Sequence, residues 1–216
     1  METVNNLLKA AIYECVPPNH AEETLSSETY LNILHTALED LDAFCLKDPA
    51  SFDKRNIVAH TSLPFSAVIH YRLAHGLLSG RFSFHHHIAE LYSSLLSSRG
   101  KLKSGAEIHH KAIIGNRFVL DHGFGTVIGE TSIIGEDCYF LGNVILGATG
   151  ISNNPNGERH PIVGNNVQVG AFSKIFGRVK IGNDVFIGPN CTIINDVADG
   201  SKIINKDFLN QEVAFK

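Results

Sequence analysis

The second half of the chain repeats with a period of six residues. From position 108 onward an apolar residue opens each hexad, with a two-residue slip after the third hexad and one long interruption later. The residues that open hexads are Ile108, Ile114, Leu120, Ile128, Ile134, Phe140, Leu146, Val163, Val169, Ile175, Ile181, Ile187 and Ile193. The strands of a β-sandwich alternate with a period of two, so this repeat is not typical of that architecture. Three short strands would instead form one triangular coil, whose apolar residues stack on the next coil.

The position within the hexad predicts the environment of each residue. Stacked coils predict three contacts, namely Val163 with Ile181, Val169 with Ile187, and Ile175 with Ile193. The fifth residue of a hexad should point inward at a corner: Ser132, Cys138, Val144, Val167, Ser173, Val179, Val185, Cys191 and Val197. The second residue begins the turn, where glycine tolerates a positive φ angle. Glycine holds this second position at 115, 129, 135, 147, 164, 170, 182 and 188.

The first half of the chain has helical patterns instead. Apolar residues recur with helical spacing in four segments, at 7–12, 29–44, 65–78 and 87–97, and prolines separate them. In the second segment Leu31, Leu34, Leu38 and Leu41 should share one helix face. We therefore expect a helical domain at 1–100, a β-helical domain at 101–200 with an extended loop at 147–162, and a C-terminal tail at 201–216.

Composition argues against several classes of protein. Charged residues make up 19% of the chain and the formal net charge is −4, whereas a broad nucleic-acid interface needs a basic stripe. The four cysteines form no CxxC pair, so neither a metal site nor a redox motif is predicted, and reduced thiols are expected. Neither a signal peptide nor an apolar run of membrane-spanning length is recognised, so we expect a cytoplasmic protein with no membrane contact.

One loop interrupts the hexads. The step from Leu146 to Val163 is 17 residues (163 − 146), where a regular hexad uses six. The extra residues must project from the coil, and a long loop on a rigid scaffold is often functional. The loop contains the sequence Arg159-His160-Pro161.

Five motifs in order resemble those of the serine acetyltransferase family. The LDH at 120–122 followed by VIGET at 127–131 resembles the family's LDH and VVGET signature, and LGATG at 146–150 resembles its LGGTG. The RHP at 159–161 matches the family's loop. Upstream, DPA at 48–50 and the segment from Phe65 to Arg72 resemble its DPA element and its FHALQAYR helix. The likeness covers about residues 40 to 200.

The resemblance implies a fold class and an activity. The fold is α+β, with the helical domain followed by a left-handed parallel β-helix of hexapeptide repeats. The chain would form a homotrimer or a dimer of trimers, with active sites between adjacent β-helices. It would transfer an acetyl group from acetyl-CoA to the hydroxyl of L-serine, a step of cysteine biosynthesis. The chemistry proposed needs no metal.

The resemblance also implies catalytic residues. His122 would be the general base, which a weakly nucleophilic hydroxyl needs and which typically contributes a factor of about 10²–10⁴. Glu107, where the family has Asp, would orient the imidazole and stabilise its charged form, as a carboxylate does in a hydrolase triad. His160 would complete the pocket from another subunit.

Substrate and coenzyme residues follow from the same motifs. Asp48 and Asp121 would bind the serine ammonium group, and Arg159 its carboxylate. The coenzyme is assigned to Gly147, Ala148, Thr149, Gly150, Ala171 and Lys174. Arg178 either meets coenzyme phosphates or lies on a solvated coil face.

The chain also departs from the family. Glu107 lengthens the acidic side chain, the RHP loop is longer, and the shorter helical part weakens the case for a dimer of trimers. The tail lacks the family's GVPAR-like turn and ends in VAFK, so a complex with cysteine synthase is not predicted. Two alternatives stay open: a transferase for another hydroxylated amino acid, such as homoserine, and a catalytically silent β-helix scaffold.

Overall fold

The computed structural model describes residues 1–154 and 156–206. Pro155 of the extended loop and residues 207–216, which include the VAFK end of the predicted tail, lie outside the described part. The helices are α1 (Glu2–Cys15), α2 (Pro18–Leu25), α3 (Glu28–Lys47), α4 (Arg55–Thr61), α5 (Leu63–Ser79) and α6 (His86–Ser104), with a 3₁₀ turn at Pro49–Ser51. The four predicted helices correspond to α1, α3, α5 and α6.

Short strands follow the helices. They are β1 (Glu107–Ile108), β2 (Ile113–Ile114), β3 (Val119–Leu120), β4 (Val127–Ile128), β5 (Ile133–Ile134), β6 (Tyr139–Phe140), β7 (Ile145–Gly147), β8 (Ile162–Val163), β9 (Gln168–Val169), β10 (Lys174–Phe176), β11 (Lys180–Ile181), β12 (Phe186–Ile187), β13 (Thr192–Ile193) and β14 (Lys202–Ile203). In the described part of the chain they form three parallel sheets, in which β1 to β10 each pair with the strand three further on and β12 pairs with β14.

This pairing makes a parallel β-helix of hexapeptide repeats. The first sheet has the order β1-β4-β7-β10-β13, the second β2-β5-β8-β11, and the third β3-β6-β9-β12-β14. Each coil therefore visits the first, second and third sheets in turn. We call the bend between the first and second sheets the 1/2 corner, and the bend from the third sheet to the next coil the 3/1 corner. The predicted register is confirmed, because the pairs are Val163 with Ile181, Val169 with Ile187, and Ile175 with Ile193.

The fifth hexad position lies in the coil interior, as predicted. Cys138, Val144, Val167 and Ser173 are fully buried, and the residues that open the hexads join them in one continuous core. Burial of this kind contributes about 25 cal/mol per Å² of apolar surface.

The prediction that the second-position glycines adopt a positive φ angle was wrong. None of them has a φ angle in the left-handed range. That range is occupied at the fourth position, mostly by polar residues: Arg117, Asp137, Asn143, Asn166, Phe172, Asp184 and Asn190. A Cβ on Gly135 would instead lie 2.7 Å from the backbone of Gly164, which belongs to the next coil. Glycine is therefore required here because successive coils approach closely at the corner.

The helices pack around α5. Its Phe65, Leu73 and Leu77 are buried with apolar residues of α1, α3 and α6. The predicted leucine face of α3 was only partly right, because Leu31 is 62% exposed. The buried face of α3 lies one residue earlier, at Tyr30, Ile33 and Ala37.

A buried ion pair joins the helices to the coil. The Arg72 guanidinium of α5 donates to both carboxylate oxygens of Asp40 in α3, at 2.8 and 3.0 Å. It also donates to the carbonyl oxygens of Ile114 and Gly115, at 2.6 and 2.7 Å. The backbone N–H of Phe118 donates to Asp40 at 2.9 Å. One pair of charges therefore fixes two helices against the first coil.

Other helical side chains bind the same edge of the coil. Each coil donates its N–H groups to carbonyls of the next coil, so the carbonyls of the first coil receive no bond from a preceding one. Tyr71 donates its hydroxyl to the carbonyl of Ala112 at 2.8 Å, and Ser97 donates to that of Ile108 at 3.1 Å. Helical side chains thus satisfy carbonyls that the coil leaves unpaired.

Over the described ranges, no helix combines the length and the apolar character that a bilayer-spanning segment requires.

Candidate active site

His122 stands on the 3/1 corner between β3 and β4. Its φ angle is +58°, a strained left-handed conformation for a residue with a side chain. The imidazole is 81% exposed, and its Nε2 lies 3.7 Å from Oδ2 of Asp121. The turn therefore presents an accessible imidazole beside a carboxylate.

Asp121 is held by a residue that the sequence did not single out. Tyr139, at the start of β6, donates its hydroxyl to Oδ2 of Asp121 at 2.8 Å. Burial raises the pKa of Tyr139, and the nearby negative charges of Asp121 and Asp48 raise it further. Tyr139 therefore stays protonated at neutral pH and donates to Asp121.

Asp48 begins the 3₁₀ turn after α3. Its Oδ1 accepts from the backbone N–H of Ala50 at 2.9 Å, and its Oδ2 accepts from the Ser51 hydroxyl. The carboxylate therefore caps the turn, and the turn fixes its position next to the coil.

Glu107 borders the same corner as His122. It opens β1 and pairs in register with Val127, the first residue after the His122 turn. Its carboxylate forms an ion pair with Lys101 of α6, and among the described residues no hydrogen bond joins it to His122. Glu107 and His122 thus border the same corner, but the carboxylate of Glu107 is paired with Lys101.

His160 lies on the 1/2 corner with its ring against Gly129, where a Cβ would fall 2.2 Å from the ring. The backbone N–H of Thr131 donates to Nδ1 of His160 at 3.1 Å. Since Nδ1 accepts, the neutral ring carries its proton on Nε2. Burial lowers the pKa of His160, and the positive charge of Arg159 lowers it further. His160 is therefore a neutral ring with an Nε2–H donor.

Arg159 lies beside His160 in the extended loop. It pairs with Glu130 at 2.6 Å and donates to the carbonyl of Gly157 at 3.1 Å. The hydrogen bond from Arg159 lowers the pKa of the Glu130 carboxyl. A cavity of about 410 Å³ opens here, lined by Glu130, Thr131, Asn154, Asn156, Gly157 and Arg159. A ligand carboxylate would compete with Glu130 for the guanidinium.

The predicted site residues therefore form two groups. Glu107, Asp121 and His122 lie at the 3/1 corner, whereas Arg159 and His160 lie at the 1/2 corner. Asp48 lies in the turn after α3, and its charge raises the pKa of Tyr139, the partner of Asp121. Within one chain the first sheet separates the two groups.

The residues predicted for the coenzyme are also divided. Gly147–Gly150 leave the end of β7 at the 1/2 corner, where a Cβ on Gly177 would lie 2.8 Å from Thr149. Ala171 lies on the 3/1 corner, and Lys174 opens β10 with an exposed side chain. A coenzyme that contacts Gly147–Gly150 as well as Ala171 and Lys174 would lie along the first sheet.

The expectation that Arg178 lies on a solvated coil face was wrong, because its side chain is only 24% exposed. A contact with coenzyme phosphates stays a prediction. The Arg178 guanidinium binds the carbonyls of Thr131 and His160 and pairs with Glu158. It therefore contacts the RHP loop rather than open solvent.

Within 1–154 and 156–206, no group of three or more His, Cys, Asp or Glu side chains is arranged to hold a metal ion.

Comparison with known proteins gives concordant matches. The family described as "Bacterial transferase hexapeptide (six repeats)" matches residues 160–195. The serine acetyltransferase of Helicobacter pylori (strain ATCC 700392 / 26695) is 38% identical over 164 residues, which cover 76% of this chain and 90% of that protein. Two solved structures are also similar. The serine acetyltransferase of Neisseria gonorrhoeae in complex with serine has a TM-score of 0.79 at 26% identity, covering 94% of this chain and 81% of its own. Serine acetyltransferase isoform 3 of Entamoeba histolytica in complex with cysteine has a TM-score of 0.76 at 26% identity, covering 98% and 72%.

Proposed function

Because this chain belongs to the serine acetyltransferase family, we propose that it transfers an acetyl group from acetyl-CoA to the hydroxyl of L-serine and releases O-acetyl-L-serine. The observation that carries the proposal is the cluster at the 3/1 corner. An exposed imidazole, His122, stands beside Asp121, and the charge of Asp48 acts on Tyr139, the partner of Asp121. This arrangement supplies a base for the hydroxyl and two carboxylates for the ammonium group of the same small substrate.

The reaction needs one base and no covalent intermediate on the protein. His122 accepts the hydroxyl proton of serine as the oxygen attacks the thioester carbonyl carbon. A C–O bond forms, the tetrahedral intermediate collapses, and the C–S bond breaks. The imidazolium then returns its proton to the departing sulfur of CoA. Glu107 would stabilise the imidazolium once its carboxylate turns from Lys101 toward His122. The backbone N–H groups of Ala148 and Thr149 would donate to the oxyanion, whereas that of Gly150 already donates to Oδ1 of Asn154 at 3.0 Å.

The charges of the two corners fit an amino acid. Asp48 and Asp121 would bind the ammonium group, while Arg159 and the Nε2–H of His160 would bind the carboxylate. A sugar acceptor carries neither charge, so it would form no ion pair with any of these groups.

The separation of the two corners supports an assembly. One chain does not place His122 and His160 on one substrate, so the site would be completed by His160 of the partner subunit. We infer a homotrimer or a dimer of trimers, with the helical domain at 1–100 and a left-handed β-helix at 101–200. The hexapeptide repeat and the serine acetyltransferase relatives support this assignment.

Two further properties belong to the proposal. Acetyl-CoA is the co-substrate, held by Gly147–Gly150 of one corner and by Ala171 and Lys174 of the other. The four cysteines of the chain are free thiols, which supports a reducing, cytoplasmic setting.

The test is CoA release from acetyl-CoA with L-serine, comparing wild type, His122→Ala and the control His87→Ala, which changes an exposed histidine of α6. We expect release with serine, a loss of at least about a hundredfold in His122→Ala, and no change in the control. Release with homoserine but not with serine would reassign the acceptor. An absence of release with every hydroxylated amino acid would refute the enzymatic proposal.

A further inference from the structure

Arg178 lies outside the reacting groups but is bonded to the loop that carries two of them. Its Nη1 donates to the carbonyl oxygens of Thr131 and His160, at 2.9 and 3.1 Å. Its Nη2 pairs with the carboxylate of Glu158 at 2.8 Å. Glu158 and His160 are the neighbours of Arg159 on either side, so the guanidinium holds the loop at both sides of that arginine.

The three bonded positions share one corner of the coil stack. Thr131 stands on the 1/2 corner of the second coil, His160 on that of the third, and Arg178 on that of the fourth. The side chain of Arg178 is only 24% exposed. It therefore runs along the outside of the stack and connects the C-terminal end of the long insertion to the corner of the second coil, which lies two coils from Arg178.

Thr131 provides the second half of this connection. Its hydroxyl oxygen accepts the backbone N–H groups of Arg159 and His160, at 2.9 and 3.1 Å. Its own N–H donates to Nδ1 of His160. Thr131 therefore sets the imidazole tautomer, while Arg178 holds the carbonyl of the same histidine and the carbonyl of Thr131.

We propose that Arg178 is a positioning residue for the substrate carboxylate. It fixes Arg159 and the Nε2–H of His160 in the geometry that binds the acceptor's carboxylate group. The inference rests on the proposed function, because it assigns this half of the pocket to the amino-acid carboxylate. Only arginine offers a planar fork of donors that serves two carbonyls and a carboxylate together. Lysine is a single point charge on a flexible stem, so it would hold one of these partners at a time.

The kinetic test separates positioning from direct contact with coenzyme. Initial rates are measured over a range of L-serine and of acetyl-CoA for Arg178→Ala, Arg178→Lys and the control Lys180→Ala, which removes an exposed charge from the adjacent strand. We expect the serine KM to rise about tenfold or more in both Arg178 variants. The acetyl-CoA KM should stay within about threefold, and the control should match wild type. Guanidinium ion at millimolar concentration should partly restore the serine KM of Arg178→Ala, and the same concentration of urea should not.

Two outcomes of the kinetic test would overturn the inference. A rise in the acetyl-CoA KM with an unchanged serine KM would make Arg178 a coenzyme contact and overturn the inference. Unchanged constants in Arg178→Ala would overturn it as well.

A second readout does not depend on the activity. Nitrogen-15 NMR of the labelled full chain reports histidine tautomers, and the His160 signals are assigned by their loss in His160→Asn. In the wild type we expect the Nε2–H form, and in Arg178→Ala a mixture of tautomers. An Nε2–H form that persists unchanged in Arg178→Ala would overturn the positioning role even if the chain had no activity toward serine.

Discussion

Replacing Asp40 by asparagine should destabilise the protein strongly. The Asp40 side chain is fully buried and that of Arg72 is 7% exposed. Asparagine keeps the shape of the side chain but leaves the Arg72 charge without its counterion in the interior. Removing one partner of such a pair costs about 3–5 kcal/mol. For a chain of this length each kcal/mol lowers the melting temperature by about 2–4 °C, so we expect a loss of about 6–20 °C.

Another aspartate of α3, which pairs with an arginine of α4, provides the control. Asp42 pairs with Arg55 at 2.8 Å, but both side chains are about half exposed, and exposed pairs contribute less than about 1 kcal/mol. Asp42→Asn should therefore shift the melting temperature by a few degrees at most. Melting is followed by circular dichroism at one protein concentration, because assembly shifts the transition.

A double variant tests the mechanism further. In Asp40→Leu with Arg72→Met no charge is buried, yet the carbonyls of Ile114 and Gly115 and the N–H of Phe118 lose their partners. Each unpaired buried group costs about 1–3 kcal/mol, so the three together cost about 3–9 kcal/mol and the double variant should melt no higher than Asp40→Asn does. If Asp40→Asn melted as close to wild type as Asp42→Asn does, the reasoning that a desolvated pair holds the helices to the coil would be wrong.

The remaining predictions concern the site. Tyr139→Phe removes the hydrogen bond to Asp121 and should raise the serine KM several-fold with little change in the acetyl-CoA KM; equal changes in both constants would contradict this role. Gly129→Ala forces a methyl group into the ring of His160 and should raise the serine KM at least about tenfold, which steady-state kinetics would measure. Because burial lowers the pKa of His160, its ring takes up a proton at lower pH than an ordinary histidine does, and the added Nδ1–H would then face the N–H of Thr131. Serine binding by isothermal calorimetry should therefore lose affinity at His160 only at lower pH than an exposed histidine would cause, and His160→Asn should remove that loss. Burial raises the pKa of Cys138 to about 11, so its thiol should not react with iodoacetamide at pH 8 in the folded protein and should react after denaturation.

The hexad period predicted the coil register correctly because stacking is a consequence of the period alone. Residues three hexads apart must meet, so the pairing of Val163 with Ile181 needed no knowledge of other parts of the fold. The role of the glycines was missed because the sequence does not reveal how closely two coils approach at a corner. The buried face of α3 was also predicted incorrectly. Leucine spacing identifies one face of the helix, but α1 and α5 pack against the adjacent face, so Leu31 is exposed.

The sequence contains one further signal for the site, which is the interval between His160 and Arg178. His160 and Arg178 are separated by 18 residues, the same interval that relates Val163 to Ile181, so the repeat places them on one corner. Thr131 had no such signal, because the extended loop breaks the spacing between it and His160. Tyr139 was not predicted as a site residue because its position in the hexad does not distinguish it from other residues on the outside of the coil. Its hydrogen bond to Asp121 is seen only in the structure.

The helices that cover the first coil have a consequence for assembly. A β-helix without a cover would end in a row of free carbonyls, and such a row pairs readily with the N–H edge of another chain. Here Tyr71, Arg72 and Ser97 already occupy those carbonyls. End-to-end polymerisation is therefore blocked at this end, so the subunits of the proposed assembly would meet along the sides of the β-helix, where the corners that carry His122 and His160 stand.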